Sequence, residues 1–540
     1  MRATLLALRL GRWGIIGFAL LGFVSTLVRV LAFYQIAGHT TAERGAFGAT
    51  MSALAPQFTV ILPGPIRPDT VAGYAEYGGF GPLTILFAVW ALVSATGAAR
   101  GDEERGIVET MLATGLSRVG AVASRMVAFA IGIVIASTAA AAGFAIGVQA
   151  GGESFSTRAL AEEAVLLAAL GFSCYAICLL VAQLSAARMA TAVAGIVLLT
   201  LFLDNTLSRT FTSLASWRWL SPFRYFDLNR PLSSGGAFEL GPVLVLLGIS
   251  VVAGAAAATA FAARDLGSPL VRAPARSHAP TYDVSRAPWW RVAILRGLYD
   301  RRAGLAAWCI GMALLAVIYV SLTKTILQPL LSLRALAPYF GAFVKGNLYP
   351  SFLGFTWFNV AQLLFAAFAI AQVARWSAED TDGRLEIVLS QPYSRVAVLL
   401  ERLAVLAVGA LLVAAVSGAA IFYASRSNGI ELNSARLAAA SLMLVPFALV
   451  FGAAGALLAS WNPRAAVGLL GAIAFASYLD AEVGALLTAP AWLLDLSSFR
   501  LFGRPLLDGA NWRNLSIMLL VVIVSAGSSI LAMQRRDVGS

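Results

Sequence analysis

Twelve long apolar runs constrain the fold of this chain more than any other feature of its 540-residue sequence. Each run is roughly 18 to 25 residues long, enough for a helix to cross about 30 Å of membrane hydrocarbon at about 1.5 Å per residue. Hydrophobic residues make up 59% of the chain and charged residues 12%, about half the charged share of a typical soluble protein. The sequence therefore predicts an all-α polytopic membrane protein and excludes a soluble enzyme.

The predicted spans lie near residues 14–36, 81–99, 126–149, 164–184, 190–206, 240–263, 304–323, 353–373, 403–424, 437–460, 465–484 and 514–533. An even number of spans places both termini on one side of the membrane. With the termini in the cytoplasm, more than half of the 39 Lys and Arg residues fall in cytoplasmic segments, as the positive-inside rule favours. We therefore expect a multi-pass protein of the plasma membrane with both termini cytoplasmic.

The net charge of +12 and the few cysteines and histidines exclude several kinds of site. In a membrane chain, a basic surplus is explained by anionic headgroups, so we expect the lipid bilayer and no nucleic acid as a partner. Cys174, Cys178 and Cys309 lie inside apolar runs, where a thiol behaves as a small hydrophobe. Because His39 and His278 are the only histidines, no zinc-like cluster forms and we expect no metal site.

The sequence also repeats itself at a nearly constant offset. Residues 106–125, GIVETMLATGLSRVGAVASR, align without gaps on residues 383–402, GRLEIVLSQPYSRVAVLLER. LSPFRYF at 220–226 likewise matches LSSFRLF at 496–502, and many matched positions are polar or glycine, which resemblance between apolar helices does not explain. We predict two fused six-helix repeats that share one orientation. Residues 1–266 form the first half, 267–287 a cytoplasmic linker, and 288–540 the second half.

Basic segments precede the first and seventh spans. MRATLLALRLGRW opens the chain, and WWRVAILRGLYDRRAG occupies residues 289–304. Both mix large apolar residues with arginine, a pattern typical of amphipathic helices that lie in the membrane interface. We predict interfacial helices here, with plain basic flanks that anchor the spans as the alternative.

The loops after the second and eighth spans share one pattern. Carboxylates come first, at Asp102, Glu103 and Glu104 in one loop and at Glu379, Asp380 and Asp382 in the other. Acidic residues favour a helix amino terminus, and apolar residues then recur at i, i+3 and i+4. We predict a short amphipathic helix in each loop, followed by a serine that caps the next span. Two equal apolar stripes suit two copies of one partner; packing of each stripe against its own spans is the alternative.

These motifs resemble a known family. An acidic cluster, G-x-x-E-x-x-L and a Ser-Arg pair before the next span resemble the coupling helix of the second class of ATP-binding-cassette (ABC) exporter permeases. The LSPF stretch and the half-ending RDLG and RDVG resemble the polyketide-antibiotic and tetronasin-resistance exporters. The predicted ATPase-coupling residues are Glu103, Gly106, Val108, Glu109, Met111, Leu112, Ser117, Arg118, Asp380, Gly383, Leu385, Glu386, Val388, Leu389, Ser394 and Arg395.

The resemblance covers essentially the whole chain and implies a function. It implies the permease subunit of an ATP-driven exporter that moves hydrophobic or amphipathic drugs and antibiotics out of the cell by alternating access. Two copies of an ABC ATPase subunit are the implied partners. A phosphate-binding loop needs Gly-Lys-Ser/Thr, and neither Lys324 nor Lys345 completes that motif. We therefore expect no catalytic residue, no enzyme activity and no cofactor in this chain, with ATP and Mg²⁺ bound by the partner ATPase.

A second candidate site follows the fifth and eleventh spans. Its aromatic residues form either an interfacial belt or a short re-entrant helix that closes the exit. Its aspartates either pair with arginines such as Arg209 or are solvated helix ends, the reading we favour. The candidate outer-gate residues are Phe223, Tyr225, Phe226, Phe499, Phe502, Asp204 and Asp480.

Two other functional classes fit the sequence less well. A secondary-active drug transporter of the major facilitator type also joins two six-span halves, and GDEERG at residues 101–106 resembles its short acidic loop. Here, however, that loop runs for some 20 residues with a predicted helix of its own. A membrane-embedded transferase would need clustered carboxylates or histidines in a long outer loop, whereas residues 39–80 offer only widely spaced acids after His39.

Overall fold

The apolar runs fold into long helices, as their length and lack of internal breaks dictate. The computed structural model describes residues 2–58, 63–209, 213, 216–270, 292–332, 348–381, 383–483 and 497–535. Every regular element within these residues is helical. Contacts divide the chain into unit 1, Met1–Ala279, and unit 2, Pro280–Ser540.

The helices of unit 1 are α1 (Arg2–Ile36), α2 (Thr41–Phe58), α3 (Val71–Glu104), α4 (Ile107–Ala113), α5 (Arg118–Ala150), α6 (Thr157–Leu184), α7 (Ala187–Leu207), α8 (Pro222–Asp227) and α9 (Leu240–Ala263). Helix α3 contains two π-helical turns, Glu76–Phe80 and Gly97–Gly101. A single 3₁₀ turn, Arg218–Leu220, precedes α8.

The helices of unit 2 are α10 (Ala293–Asp300), α11 (Arg302–Ser332), α12 (Leu348–Thr381), α13 (Arg384–Leu389), α14 (Arg395–Ser427), α15 (Ser434–Trp461), α16 (Pro463–Val483), α17 (Ser498–Phe502), α18 (Pro505–Asp508) and α19 (Trp512–Arg535). Pro446 lies inside α15 without ending it.

Eleven helices of the described residues are long and apolar enough to cross a membrane. Each predicted span coincides with a helix, and the one outside the eleven is α16, whose apolar part, Ala465–Tyr478, is shorter. The prediction of an all-α polytopic membrane protein is therefore confirmed. The count of twelve spans stays a prediction.

Long helices of the two units correspond in length. Among helices whose two ends both lie inside the described residues, the lengths are 33 residues for α5 and α14 and 28 for α6 and α15. Two copies of one six-helix unit would give this pattern.

Helix α1 shows that one expectation about the interfacial helices was wrong. The basic amino-terminal segment is continuous with the first span, because nothing between Arg2 and Ile36 ends the helix and single glycines are tolerated. Before the seventh span, α10 is a separate helix whose last residue, Asp300, is followed by Arg301 with non-helical φ and ψ of −103° and 4°. The predicted loop at 39–80 contains the unpredicted helix α2.

Close contacts between helices fix the core of unit 1. Thr26 Oγ1 on α1 donates to the carbonyl of Ala140 on α5 at 2.7 Å. A Cβ on Gly143 would lie 2.1 Å from the carbonyl oxygen of Phe23, so only glycine allows this approach. Small residues that bring backbones together are typical of helix packing in membranes.

Most of the predicted linker, residues 271–287, lies outside the described residues, as do Asp382 of the second acidic cluster and the RDVG segment from Arg536 onward.

Candidate functional site

Each unit contains a sharp reversal of the chain built around a short helix. We call residues 100–120, which include α4, the first elbow, and residues 377–397, which include α13, the second elbow. Gly106 and Gly383 precede the short helices with φ of 71° and 73°, a conformation that glycine adopts without strain. Ser117 Oγ accepts from the Gly120 N–H at 3.0 Å, and Ser394 Oγ from the Ala397 N–H at 3.1 Å. Both predicted helices and both serine caps are confirmed.

The acidic clusters do not begin the short helices as the sequence pattern indicated. Asp102, Glu103 and Glu104 form the last turn of α3, because the left-handed Gly106 separates them from α4. The acidic residue in the first turn of each short helix is instead Glu109 in α4 and its counterpart in α13. Arginine side chains, and not a helix amino terminus, stabilise the buried carboxylates.

Glu103 lies at the centre of a buried ion network in the first elbow. Its Oε2 accepts from Arg100 Nη1 at 3.0 Å and from Arg264 Nη2 at 2.7 Å. Its Oε1 accepts from Arg264 Nη1 at 2.8 Å and from the Gly267 N–H at 2.6 Å. Only 2% of Arg100 and 3% of Arg264 is exposed, so both charges depend on this carboxylate.

The same two arginines also connect the elbow to other helix ends of unit 1. Arg100 Nε donates to the carbonyl of Ala182 at 2.8 Å, and Arg100 Nη2 to that of Ser185 at 2.6 Å. Arg264 Nε donates to Gln183 Oε1 at 2.9 Å. The network therefore joins the ends of α3, α6 and α9. Any displacement of the first elbow must be transmitted to those three helices or must break buried ionic contacts.

A second acid–arginine pair occurs in both elbows. In the first, Arg125 of α5 contacts Asp102 and also donates to the carbonyl of Ala98 at 2.8 Å. In the second, Arg402 Nη2 donates to Glu379 Oε2 at 2.8 Å. Both pairs connect the carboxyl end of the preceding long helix to the first turns of the next one.

The arginine after each capping serine contacts the last long helix of its own unit. Arg118 Nη1 donates to the carbonyl of Arg264 at 2.6 Å and to that of Ala262 at 3.1 Å. Arg395 Nη1 donates to the carbonyl of Met533. In both units, the Ser-Arg motif therefore attaches the elbow to the carboxyl-terminal end of α9 or α19.

The apolar stripes of the short helices pack mainly inside their own units. Val108 and Met111 of α4 and Leu385 of α13 are at most 6% exposed, while Leu112 and Leu389 are half-buried. Buried side chains such as these, and Glu103, cannot be the surface that a partner contacts. Packing against the unit's own spans, the alternative considered from the sequence, describes these positions better.

The elbow surface that remains open differs between the two units. Glu109 and Thr110 are exposed in the first elbow, and Glu386 is exposed in the second. The second elbow also exposes two apolar side chains, Ile387 at 68% and Val388 at 43%.

A charged cavity of about 710 Å³ lies beside the second elbow. Helices α10, α12, α13 and α14 contribute to its wall, and the lining includes Arg296, Arg301, Arg384, Glu379 and Glu401. Arg301 Nη1 donates to Gln372 Oε1 at 3.0 Å, and burial lowers the pKa of this guanidinium. The charge lining suits water and polar groups, not an apolar ligand.

The predicted outer-gate aromatics are core residues of their own units. Phe223 and Phe226 on α8 and Phe499 and Phe502 on α17 are at most 5% exposed. The Phe223 ring packs edge-to-face on Phe202 with a centroid distance of 5.3 Å. The prediction of an interfacial aromatic belt is therefore wrong for these four residues, while the short helix is present in each unit.

Tyr225 and the two aspartates are placed differently from the four buried aromatics. The Tyr225 hydroxyl donates to the carbonyl of Trp219 at 2.8 Å. Arg209 pairs with Asp227, which also accepts from Asn205 Nδ2 at 2.7 Å, and not with Asp204 as considered from the sequence.

Asp204 and its counterpart Asp480 each have one buried carboxylate oxygen without a hydrogen bond. Both residues are otherwise partly exposed, so solvated helix ends, the reading favoured from the sequence, stay a prediction.

Sequence reasoning did not single out Arg100 or recognise the role of Arg264. The available signal was an arginine at the end of an apolar span, next to an acidic cluster, where an unpaired charge would be costly. Among the described residues, no group of three or more His, Cys, Asp or Glu side chains could hold a metal ion.

Two comparisons with known proteins show what this chain is similar to. A family model described as the multidrug efflux system permease Rv1217c, C-terminal domain, matches residues 3–262 and 298–533. The multidrug efflux system permease protein Rv1217c from Mycobacterium tuberculosis is 25% identical over 512 residues, covering 92% of this chain and 87% of that protein.

Proposed function

Because the chain belongs to the family of the multidrug efflux system permease Rv1217c, we propose that it is the membrane subunit of an ATP-driven ABC exporter. Membership makes it a multi-pass permease of a drug-efflux family. The proposal adds the energy source, a pair of ABC ATPase subunits that bind ATP and Mg²⁺, and transport by alternating access. It also places the protein in the plasma membrane with both termini in the cytoplasm.

The paired elbows are the observation that carries this proposal. At a constant offset of 277 residues, each elbow has a left-handed glycine, a short helix, a capping serine and an arginine bound to the last helix of its unit. A docking element that occurs twice suits two copies of one partner. A secondary-active transporter, by contrast, needs no ATPase to dock on such a pair.

The equal helix lengths support duplication of one six-helix unit within the chain. Helices α5 and α14 share one length and α6 and α15 another, and the cap residues Ser156 of α6 and Asn433 of α15 stand at the same offset of 277. We therefore assign residues 1–266 and 288–540 to two fused halves joined by the linker at 267–287, with six spans in each half.

The first elbow offers a mechanical route from an ATPase to the membrane helices. A partner that contacts the exposed face of α4 would move Gly106 and the last turn of α3 together. Since Glu103 bonds to Arg100 and Arg264, that movement reaches α6 and α9 through buried contacts. The buried apolar stripe of α4 then attaches the short helix to its unit. A force applied to the exposed face of α4 is therefore transmitted to the long helices.

An apolar groove on unit 1 supports a lipophilic cargo. Its volume is about 710 Å³, within the range of drug-sized ligand sites. Helices α5 and α9 form most of it, and its lining includes Val122, Met126, Ala130, Val134 and Gly254. Burial there yields about 25 cal/mol per Å² with little directional demand, so unrelated hydrophobic or amphipathic drugs can bind.

Native mass spectrometry of the co-expressed complex tests the proposal. We expect one permease chain with two ATPase subunits, and no ATP hydrolysis by the purified chain alone. A stable complex with a single ATPase, or ATP turnover by the chain itself, would contradict the proposal. Transport driven by an ion gradient without any ATPase would favour the secondary-active alternative.

A further inference from the structure

Unit 1 contains a buried group of ionisable side chains at the end opposite the first elbow. Glu76 lies near the start of α3, Glu163 near the start of α6, and Arg230 in the segment between α8 and α9. Their exposed fractions are 3%, 1% and 8%. Three charges withdrawn from water in this way need a reason, because each is costly unless it is paired or neutralised.

The two carboxylates of this group differ in their hydrogen bonds. Glu76 Oε1 accepts from the Leu232 N–H at 3.3 Å, and its Oε2 accepts from the Ser233 hydroxyl. Neither carboxylate oxygen of Glu163 has a hydrogen-bond partner, and Arg230 Nη2 is also without one. The charges of Glu76 and Arg230 are close enough to interact with the Glu163 carboxyl.

Charge balance then decides the protonation of the group. Two carboxylates and one guanidinium leave one negative charge in surplus, and a single proton neutralises the set. Two buried carboxyls that interact share their protons as one system. The proton belongs on the carboxyl with no donors around it, since burying an unpaired charge costs far more than burying a neutral acid. Glu76, with two donors and Arg230 nearby, is the one that stays ionised.

We propose that Glu76, Glu163 and Arg230 form a proton-binding site, with the proton held by the Glu163 carboxyl and exchanged with water at the end of unit 1 opposite the first elbow. The ligand is a proton and not a metal ion, because two carboxylates facing an arginine offer too few oxygen ligands and a repelling cation. This inference does not depend on an ATPase partner.

A small cavity beside Arg230 provides a place for the exchanging water. It has a volume of about 20 Å³, enough for one water molecule, and lies between Arg230 and the pair formed by Arg209 and Asp227. Tyr77, Thr84 and Asn205 are the other polar side chains of its lining, and three phenylalanines supply much of the rest. Arg230 is the member of the ionisable group that lines this cavity.

Several other charged groups lie at this end of unit 1. On α6 itself, Glu162 pairs with Arg158 at 2.8 Å. Beyond the start of α6, Glu153 pairs with Arg44 at 2.7 Å. Arg29 of α1 packs against Gly78 and Gly79 of α3, and Asp204 ends α7 at this same end. The charges that act on the Glu163 carboxyl are those of Glu76 and Arg230.

In unit 2, the equivalent helices pack without ionisable side chains at the positions of Glu76, Glu163 and Arg230. At offsets of 277, 277 and 276 residues, the corresponding positions are Leu353, Ala440 and Leu506. All three are at most 3% exposed and belong to the hydrophobic core of unit 2. The same helices thus pack with apolar side chains in one unit and with an ionisable group in the other, so packing alone does not explain the group.

The site also explains how a proton would alter the structure. The Glu76 carboxylate accepts hydrogen bonds from Leu232 and Ser233 and so fixes the segment after α8. Loss of the proton from Glu163 would place a second negative charge against Glu76 and weaken its hold on that segment. We therefore expect the contact between Glu76 and the segment after α8 to weaken as the pH rises.

Infrared spectroscopy of the full chain in lipid nanodiscs tests the site directly. We expect the wild type to show a protonated-carboxyl band that shifts in D₂O and disappears at alkaline pH, and Glu163→Gln to lack it. Glu162→Gln, one residue away and paired with exposed Arg158, should keep the band. An unchanged band in Glu163→Gln, or no such band in the wild type, would overturn the proposal.

Thermal unfolding as a function of pH is an independent test. A carboxyl that holds its proton only in the folded chain makes the folded state less stable as the pH rises. The unfolding temperature of the wild type should therefore fall over a pH range in which that of Glu163→Gln stays level. Failure of Glu163→Gln to fold while Glu163→Asp folds, or a wild-type profile that follows Na⁺ concentration instead of pH, would refute a proton site.

Discussion

Glu103 and Arg264 are 161 residues apart in the sequence, yet they form a two-pronged ion pair with nitrogen–oxygen distances of 2.8 and 2.7 Å. The pair joins the last turn of α3 to the residue that follows α9. Parallel hydrogen bonds of this kind fix the orientation of both side chains as well as their separation. The first elbow is thus attached to the end of its own half by a rigid, buried link.

Replacing Glu103 with glutamine tests this link. The substitution keeps the shape but leaves Arg100 and Arg264 buried without a counter-charge, so we expect a loss of about 3–5 kcal/mol in the free energy of unfolding. Unfolding of the purified chain in mixed micelles measures the effect. Glu104→Gln is the control, because Glu104 is exposed in the adjacent position and should change the stability little. Equal stability of the two variants would show that the network contributes nothing.

The sequence was sufficient to predict the spans because their signal is local. Twenty consecutive apolar residues need no tertiary information, and the helix at 240–263 was predicted to the residue. The elbow helices and the caps at Ser117 and Ser394 were predicted for the same reason, since capping involves residues only three apart. Segments whose structure is set by short-range contacts can be predicted from sequence alone.

The partners of charged residues could not be predicted in this way. Glu103 was assigned to a helix amino terminus because the sequence shows its neighbours and not Arg264. The apolar stripe of α4 gave no indication whether a partner or the same chain covers Val108. Glu163 passed unnoticed at the start of an apolar run, since its relation to Glu76 exists only when α3 and α6 pack together.

The left-handed glycines that precede the short helices give a second prediction. Gly106→Ala and Gly383→Ala should each destabilise the chain by about 1–2 kcal/mol, because an alanine Cβ strains a backbone with positive φ. Nothing lies within 4 Å of either added Cβ, so crowding does not contribute. Gly97→Ala is the control: its φ is −61° and its added Cβ also meets open space. Unfolding in mixed micelles compares the three variants, and a loss in Gly97→Ala as large as in the other two would contradict the reason given.

A third prediction rests on the proposed ATPase partner. It compares a substitution on the exposed face of the second elbow with one on its buried face. Ile387→Glu changes a side chain that is 68% exposed, so we expect weaker ATPase binding with unchanged stability. Leu385→Glu, at 5% exposure, should instead destabilise the chain by several kcal/mol, on the order of an unpaired buried charge. Co-purification yield and unfolding measured on the same samples distinguish the two effects. ATPase binding by Ile387→Glu at the wild-type level would remove this surface from the interface.

The fourth prediction concerns cargo and the apolar groove of unit 1. Ala130 on α5 lines the groove, and Ala130→Trp would fill part of its 710 Å³. We expect lipophilic compounds to stimulate the ATPase activity of the wild-type complex in nanodiscs, and Ala130→Trp to reduce that stimulation while basal activity stays the same. Leu244→Trp is the control, since Leu244 is a 64% exposed apolar residue of α9 outside the groove lining. A panel graded in lipophilicity provides the measurement, because a site that gains about 25 cal/mol per Å² of apolar contact should respond in order of apolar area. Equal stimulation of the two tryptophan variants would place the cargo elsewhere, and a response confined to hydrophilic compounds would contradict a lipophilic cargo.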